Sequence, residues 1–96
     1  DIKCENIVVK FDGKHLIYKL IDFGSAKRLP TGKSIDDSLG TREYYAPELL
    51  IEENSKNYVP FDAEKVEVWH IGLSVFRFVV GYSPFKIATM EDENFC

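Results

Sequence analysis

The sequence is poor in cysteine, methionine, tryptophan and proline, and short of positive charge. Its two cysteines stand at residues 4 and 96 of a 96-residue chain. That placement gives neither a disulfide framework nor a metal-type spacing, so a reducing, cytoplasmic setting is expected. Lys and Arg number 12 against 16 Asp and Glu, a formal net charge of −4. No electrostatic footprint for nucleic acid exists, and no nucleic-acid partner is expected. The longest apolar run, VWHIGLSVFRFVVG, is interrupted by His70 and Arg77. It is too short to span a bilayer and reads as a buried helix, so no membrane partner is expected either. Repeats and low-complexity tracts are also missing. What is present is 45% hydrophobic and 29% charged residues, which argues against disorder for most of the chain.

The first organised stretch is NIVVKFDGKHLIYKLID. Two β-branched apolar runs flank Asp12 and Gly13, a pair suited to the positive backbone angles of a tight hairpin turn. Alternation sets Leu16, Tyr18 and Leu20 on one side and Ile17, Lys19 and Ile21 on the other. Residues 24–40 are polar and rich in Gly, Ser, Thr and Lys, and predict a long loop. APELLIEE predicts a short helix from Pro47, since proline suits a first helical turn. A second helix follows, capped by Asp62, running to about Val80 and stopped by Gly81. Val66, Trp69, Leu73, Phe76 and Val80 recur at helical spacing, and apolar residues fill the other faces too. Such a helix belongs in the middle of something larger. The acidic tail TMEDENFC is expected to fray.

The chemistry-bearing residues cluster. Asp1, Lys3 and Asn6 crowd DIKCEN, and Asp22 opens DFG. The hairpin brings the start of its first strand, at Asn6, to the end of its second, at Asp22. A carboxylate and an amide oxygen there are hard ligands of the kind that hold magnesium together with phosphate oxygens. Asp1 could take or orient a hydroxyl proton, and Lys3 could neutralise a transferred phosphoryl group. Each motif alone is weak, because Asp, Asn and Lys are ordinary loop residues. The ordered set of DxKxxN, hairpin, DFG, loop and APE is specific.

That ordered set resembles the eukaryotic protein kinases. DIKCEN is similar to the kinase catalytic loop from its aspartate onward. DFG, GTREYYAPE and VEVWHIG…GYSPF are similar, in order, to the metal-binding turn, the substrate-reading loop and the central helix with its proline loop. The resemblance implies an α+β fold: a fragment of the kinase C-terminal lobe, with a β-hairpin, a long activation loop, a short helix and one central helix. It implies that residues 1–96 are a partial kinase domain, cut within the catalytic loop, which by itself would be inactive. The implied activity is transfer of the ATP γ-phosphoryl group to protein Ser or Thr hydroxyls. The cofactors would be ATP and Mg2+, and the partner a protein substrate. The alternative is a non-catalytic, kinase-like binding module.

By this resemblance Asp1 is the catalytic base, Lys3 contacts the transferred phosphate, and Asn6 and Asp22 hold magnesium. Lys3 together with Thr41 suggests Ser/Thr rather than Tyr specificity. Gly24, Glu48, Glu67 and Trp69 are structural. Glu48 would pair with an arginine that this chain lacks. Glu67 stands where kinases usually carry an aspartate that braces the catalytic loop. Ser38 is the candidate activating phosphosite, ahead of Thr31 and Ser34, with Lys27 placed to receive the phosphate. An upstream kinase or trans-autophosphorylation would supply that group. YKLIDFGSAKRL and SLGTREYYAPELL are further similar to the IκB-kinase-related kinases of the TANK-binding type.

Overall fold

The computed structural model describes residues 1–29, 40–53 and 61–95, with only the backbone at 51–53. Ser38, Thr31 and Ser34 lie outside the described residues. A 3-10 turn at Cys4–Asn6 leads directly into strand β1, Ile7–Phe11. Strand β2, Leu16–Leu20, returns antiparallel, with Ile7 opposite Leu20 and Phe11 opposite Leu16. The connection is a four-residue one over 12–15, wider than the tight DG turn expected from sequence. Asp12 Oδ1 accepts the N–H groups of Lys14 at 2.9 Å and His15 at 2.7 Å, and Gly13 alone takes the positive φ. The Asp12 side chain thus builds the turn, which is the local bonding that aspartate offers a backbone. Val8, Val9, Phe11, Leu16, Tyr18 and Leu20 are all exposed, so neither hairpin face is covered by the rest of the described chain.

A second 3-10 turn, Arg42–Tyr44, precedes helix α1 at Pro47–Glu53. Helix α2 spans Ala63–Val80. Asp62 Oδ1 accepts from Glu64 N at 3.1 Å and Lys65 N at 3.3 Å, satisfying amides that an open helix end leaves unpaired. Gly81, at φ 90°, ends the helix and donates its N–H to Arg77 O at 2.9 Å. Among the described residues no helix is long and apolar enough to cross a membrane.

The core forms where α1 meets the N-terminal half of α2. Tyr45, Ala46, Leu49, Leu50, Phe61, Ala63, Val66 and Ala88 are buried together. Of the apolar stripe expected on α2, Val66 and Leu73 are buried and Trp69 is half-buried, whereas Phe76 and Val80 are exposed. Val68, Ile71, Val75, Phe78 and Val79 are exposed as well. A helix that is apolar on every side has more hydrophobic surface than this core covers.

Residues 89–95 of the tail are held where fraying was expected, and Cys96 lies outside the described residues. Asp92 accepts from Lys86 N at 2.7 Å, Ile87 N at 3.2 Å and Asn94 N at 3.0 Å, pinning the segment in a compact turn. That places Phe95 edge-on to Phe85 at 5.2 Å and to Trp69 at 6.3 Å. Such an aromatic contact contributes roughly 0.5–1.5 kcal/mol beyond burial.

Candidate active site

The loop over residues 1–6 and the segment over 40–45 lie side by side. Asp1 Oδ1 accepts both the backbone N–H of Thr41, at 3.0 Å, and its hydroxyl, at 2.9 Å. Lys3 Nζ lies 3.0 Å from Asp1 Oδ2 and also donates to the Thr41 hydroxyl. Both oxygens of Asp1 therefore have a fixed direction. Asn6, 6% exposed, donates its side-chain N–H to the Asp1 carbonyl at 3.0 Å and to Asp1 Oδ2 at 3.4 Å. Gly40 permits the close approach: its φ is +125°, and an added Cβ would stand 3.4 Å from Asp1 Oδ1. Asp1, Lys3 and Thr41, singled out from the sequence, are brought together.

Asp22 stands two residues beyond the end of β2. The N–H of its neighbour Ile21 donates to Asn6 O at 2.8 Å, so the two ends of the hairpin do meet. The side chains of Asn6 and Asp22 have separate engagements. Asn6 turns its amide to Asp1, while Asp22 Oδ1 accepts its own Gly24 N–H at 3.2 Å. Asp22 has φ 60°, the one positive value among described non-glycine residues. A left-handed aspartate is uncommon and concentrates at functional turns. A Cβ on Gly24 would lie 3.2 Å from Asp22 Oδ1, so the glycine leaves room for that carboxylate. Asp1 and Asp22 both line a cavity of about 320 Å³, together with Lys27, Glu67 and His70. Among the described residues, no three His, Cys, Asp or Glu side chains cluster as a metal site. The side chains of Asn6 and Asp22 are thus not brought together on one point: Asp22 lines the cavity, and Asn6 does not.

Behind the loop, Glu67 Oε1 lies 3.7 Å from the backbone nitrogen of Asp1, and Glu67 Oε2 lies 3.5 Å from His70 Nδ1. His70 is 2% exposed, and among the described residues the Glu67 carboxylate at 3.5 Å is the polar group beside its ring. Burial pushes its imidazole below the ordinary value, with the Glu67 carboxylate pulling the other way. Trp69 packs against Phe85 at 6.0 Å. Glu48 stands exposed in the first turn of α1.

One cluster was missed by sequence reasoning. Arg77 of α2 donates to Glu5 Oε1 at 3.0 Å and to the Tyr44 hydroxyl at 2.5 Å. Burial opposes ionisation of Glu5, yet hydrogen bonds from the backbone, Arg77 and Tyr44 hold its carboxyl below the usual value. Burial raises the Tyr44 phenol. The hydrogen bonds from Arg77 to Tyr44 and Glu5 raise the guanidinium further. The available signal was a cation inside the apolar run VFRFVV.

The protein kinase domain family matches residues 1–95, and the chain belongs to that family. It is 36% identical over 92 residues to the putative sperm motility kinase W of Mus musculus, covering 96% of this chain and 17% of that protein. It is 39% identical over 85 residues to the inhibitor of nuclear factor kappa-B kinase subunit alpha of Gallus gallus, covering 88% of this chain and 10% of that protein. The beta subunit of Mus musculus is 41% identical over the same length, again 88% of this chain and 10% of the relative. The chain thus spans a small part of the curated relatives it matches. No solved structure matches it significantly.

Proposed function

We propose that the chain is the C-terminal-lobe core of a Ser/Thr protein kinase, which transfers the ATP γ-phosphoryl group to a hydroxyl of a protein substrate. The observation that carries this reading is the Asp1 carboxylate, held through one oxygen by Thr41 and through the other by Lys3. A carboxylate so oriented accepts the proton of an incoming hydroxyl as its oxygen bonds to phosphorus. Lys3 supplies a positive charge beside that carboxylate and meets the phosphoryl group in transit. Asp22 and the amide oxygen of Asn6 would hold Mg2+, which when bound neutralises charge on the phosphates. In support, Asp22 stands in a left-handed turn next to Ile21, which stays paired to the loop. The contact of Lys3 with Thr41 supports Ser/Thr specificity. Similarity to two subunits of an IκB kinase supports the IκB-kinase-related group.

The test is phosphoryl transfer from ATP by the kinase that carries this segment. Asp1→Asn and Asp22→Asn should each lower turnover on a Ser- or Thr-containing peptide by at least about a hundredfold. Wild-type transfer to neither residue, with intact folding, favours the non-catalytic binding module instead.

A further inference from the structure

Two rungs join the loop at residues 1–6 to the segment at 40–45. The first is made by Asp1 and Lys3 on Thr41, and carries the groups assigned to the reaction. The second is made by Cys4 and Glu5 on Tyr44. Cys4 N–H donates to the Tyr44 hydroxyl at 3.3 Å, and that hydroxyl donates to Glu5 Oε2 at 3.1 Å. No group in the second rung has a part in the chemistry. It is nonetheless closed from outside by Arg77, whose Nη1 reaches both Glu5 and Tyr44.

The arrangement is built rather than incidental. Tyr44 is 4% exposed and fixed by packing as well as by its hydroxyl. The Arg77 guanidinium lies 5.7 Å from the centre of the Tyr44 ring, within reach of a cation–π contact. Both oxygens of Glu5 are used, one by the cation and one by the phenol. Hydrogen bonds with an ionised partner are stronger than neutral ones; with Glu5 54% exposed, solvent screens part of that gain, and the bond of Arg77 to the buried Tyr44 is the better shielded of the two. Arg77 also sits on α2, an 18-residue helix that reaches back to the buried core. It is therefore a link between the rigid part of the fold and two short segments, beside the contacts of Glu67 with Asp1 N and of the Cys4 thiol with Ser74 O.

We infer that Arg77 is a positioning residue: from helix α2 it holds Glu5 and Tyr44 together, and so sets the spacing at which Asp1 and Lys3 meet Thr41. This rests on the kinase reading for its effect on turnover, but not for its effect on the backbone.

The experiment uses the whole kinase that carries this segment. Tyr44→Phe removes one hydroxyl and keeps the buried ring. Arg77→Met removes the cation and keeps much of the stem. Each should lower kcat about tenfold while leaving KM for ATP within about twofold, and each should speed amide exchange at Cys4. The double variant should be no worse than the poorer single, since the two groups act as one strut. Arg77→Lys should recover part of the loss by keeping the bond to Glu5. Unchanged exchange at Cys4 overturns the inference, as does a kcat within twofold of wild type in Tyr44→Phe. Losses that multiply in the double variant also overturn it. If the wild-type kinase transfers no phosphoryl group, the functional reading fails by itself, and exchange at Cys4 alone decides whether Arg77 sets the spacing.

Discussion

Thr41 gives Asp1 two hydrogen bonds on a single oxygen, one from its backbone and one from its hydroxyl, at 3.0 and 2.9 Å. The hydroxyl in turn accepts from Lys3, so one threonine orients both the base and the cation. Thr41→Val keeps the backbone donor and the branched shape but deletes the hydroxyl. A hydrogen bond to a charged group contributes roughly 1.5–3 kcal/mol. Expressed in the transition state and not in the bound complex, that loss lowers kcat about ten- to a hundredfold. Thr41→Ser should retain most activity. Steady-state kinetics on a Ser-containing peptide decide, and an unchanged kcat in Thr41→Val removes Thr41 from the machinery.

Two glycines should respond to alanine with opposite signs. Gly40 has φ +125° and faces Asp1 Oδ1. Gly40→Ala brings backbone strain of roughly 1–3 kcal/mol at a residue whose added Cβ would touch the Asp1 carboxylate. It should lower both the melting temperature and turnover. Gly72 lies within α2 and has nothing within 4 Å of an added Cβ. Gly72→Ala should stabilise by roughly 0.5–1 kcal/mol, the helix preference of alanine. Thermal melts of the two variants beside wild type check the contrast.

Elements governed by neighbouring residues were legible in the sequence. Asp62 and Gly81 bound α2 because each acts on amides or carbonyls within a turn of itself. The hairpin was legible for the same reason, although Asp12 widened its turn by capturing two amides. DxKxxN and DFG marked the site because chain order alone forces their ends together across the strands. Long-range pairings were not legible. Arg77 is 33 residues from Tyr44 and 72 from Glu5, and nothing in composition or spacing couples them. The tail was misread because charge suggested fraying, while Phe95 meets Phe85 and, from α2, Trp69.

Acid should weaken the fold through His70. Burial depresses its folded-state pKa, while the unfolded chain titrates near 6.5. Above about pH 6.5 the ring is neutral in both states and stability is unaffected. Below it, the unfolded chain takes up a proton that the folded chain resists, so stability falls until the folded pKa is passed. The Glu67 carboxylate beside the ring limits the loss. Denaturant midpoints should therefore drop between about pH 7 and pH 5, and His70→Gln should flatten that drop. A midpoint of equal slope in both proteins contradicts the assignment.

The exposed apolar faces make one further demand. Val68 is 67% exposed and Val79 is 79% exposed, on a helix where Ile71, Val75, Phe76, Phe78 and Val80 are exposed as well. Contiguous apolar surface of this kind marks a face that another structure covers. The 96-residue chain alone should therefore self-associate, visible as a concentration-dependent mass in sedimentation. Val68→Lys with Val79→Lys should suppress that association, since two cations then face solvent. In the whole kinase the same pair should act in the reverse sense. If further helices pack on α2, buried ammonium groups would destabilise the domain by several kcal/mol, and the melting temperature should fall sharply. A whole kinase that tolerates both lysines would mean that this face stays open there too, and that α2 is not the centre of its lobe.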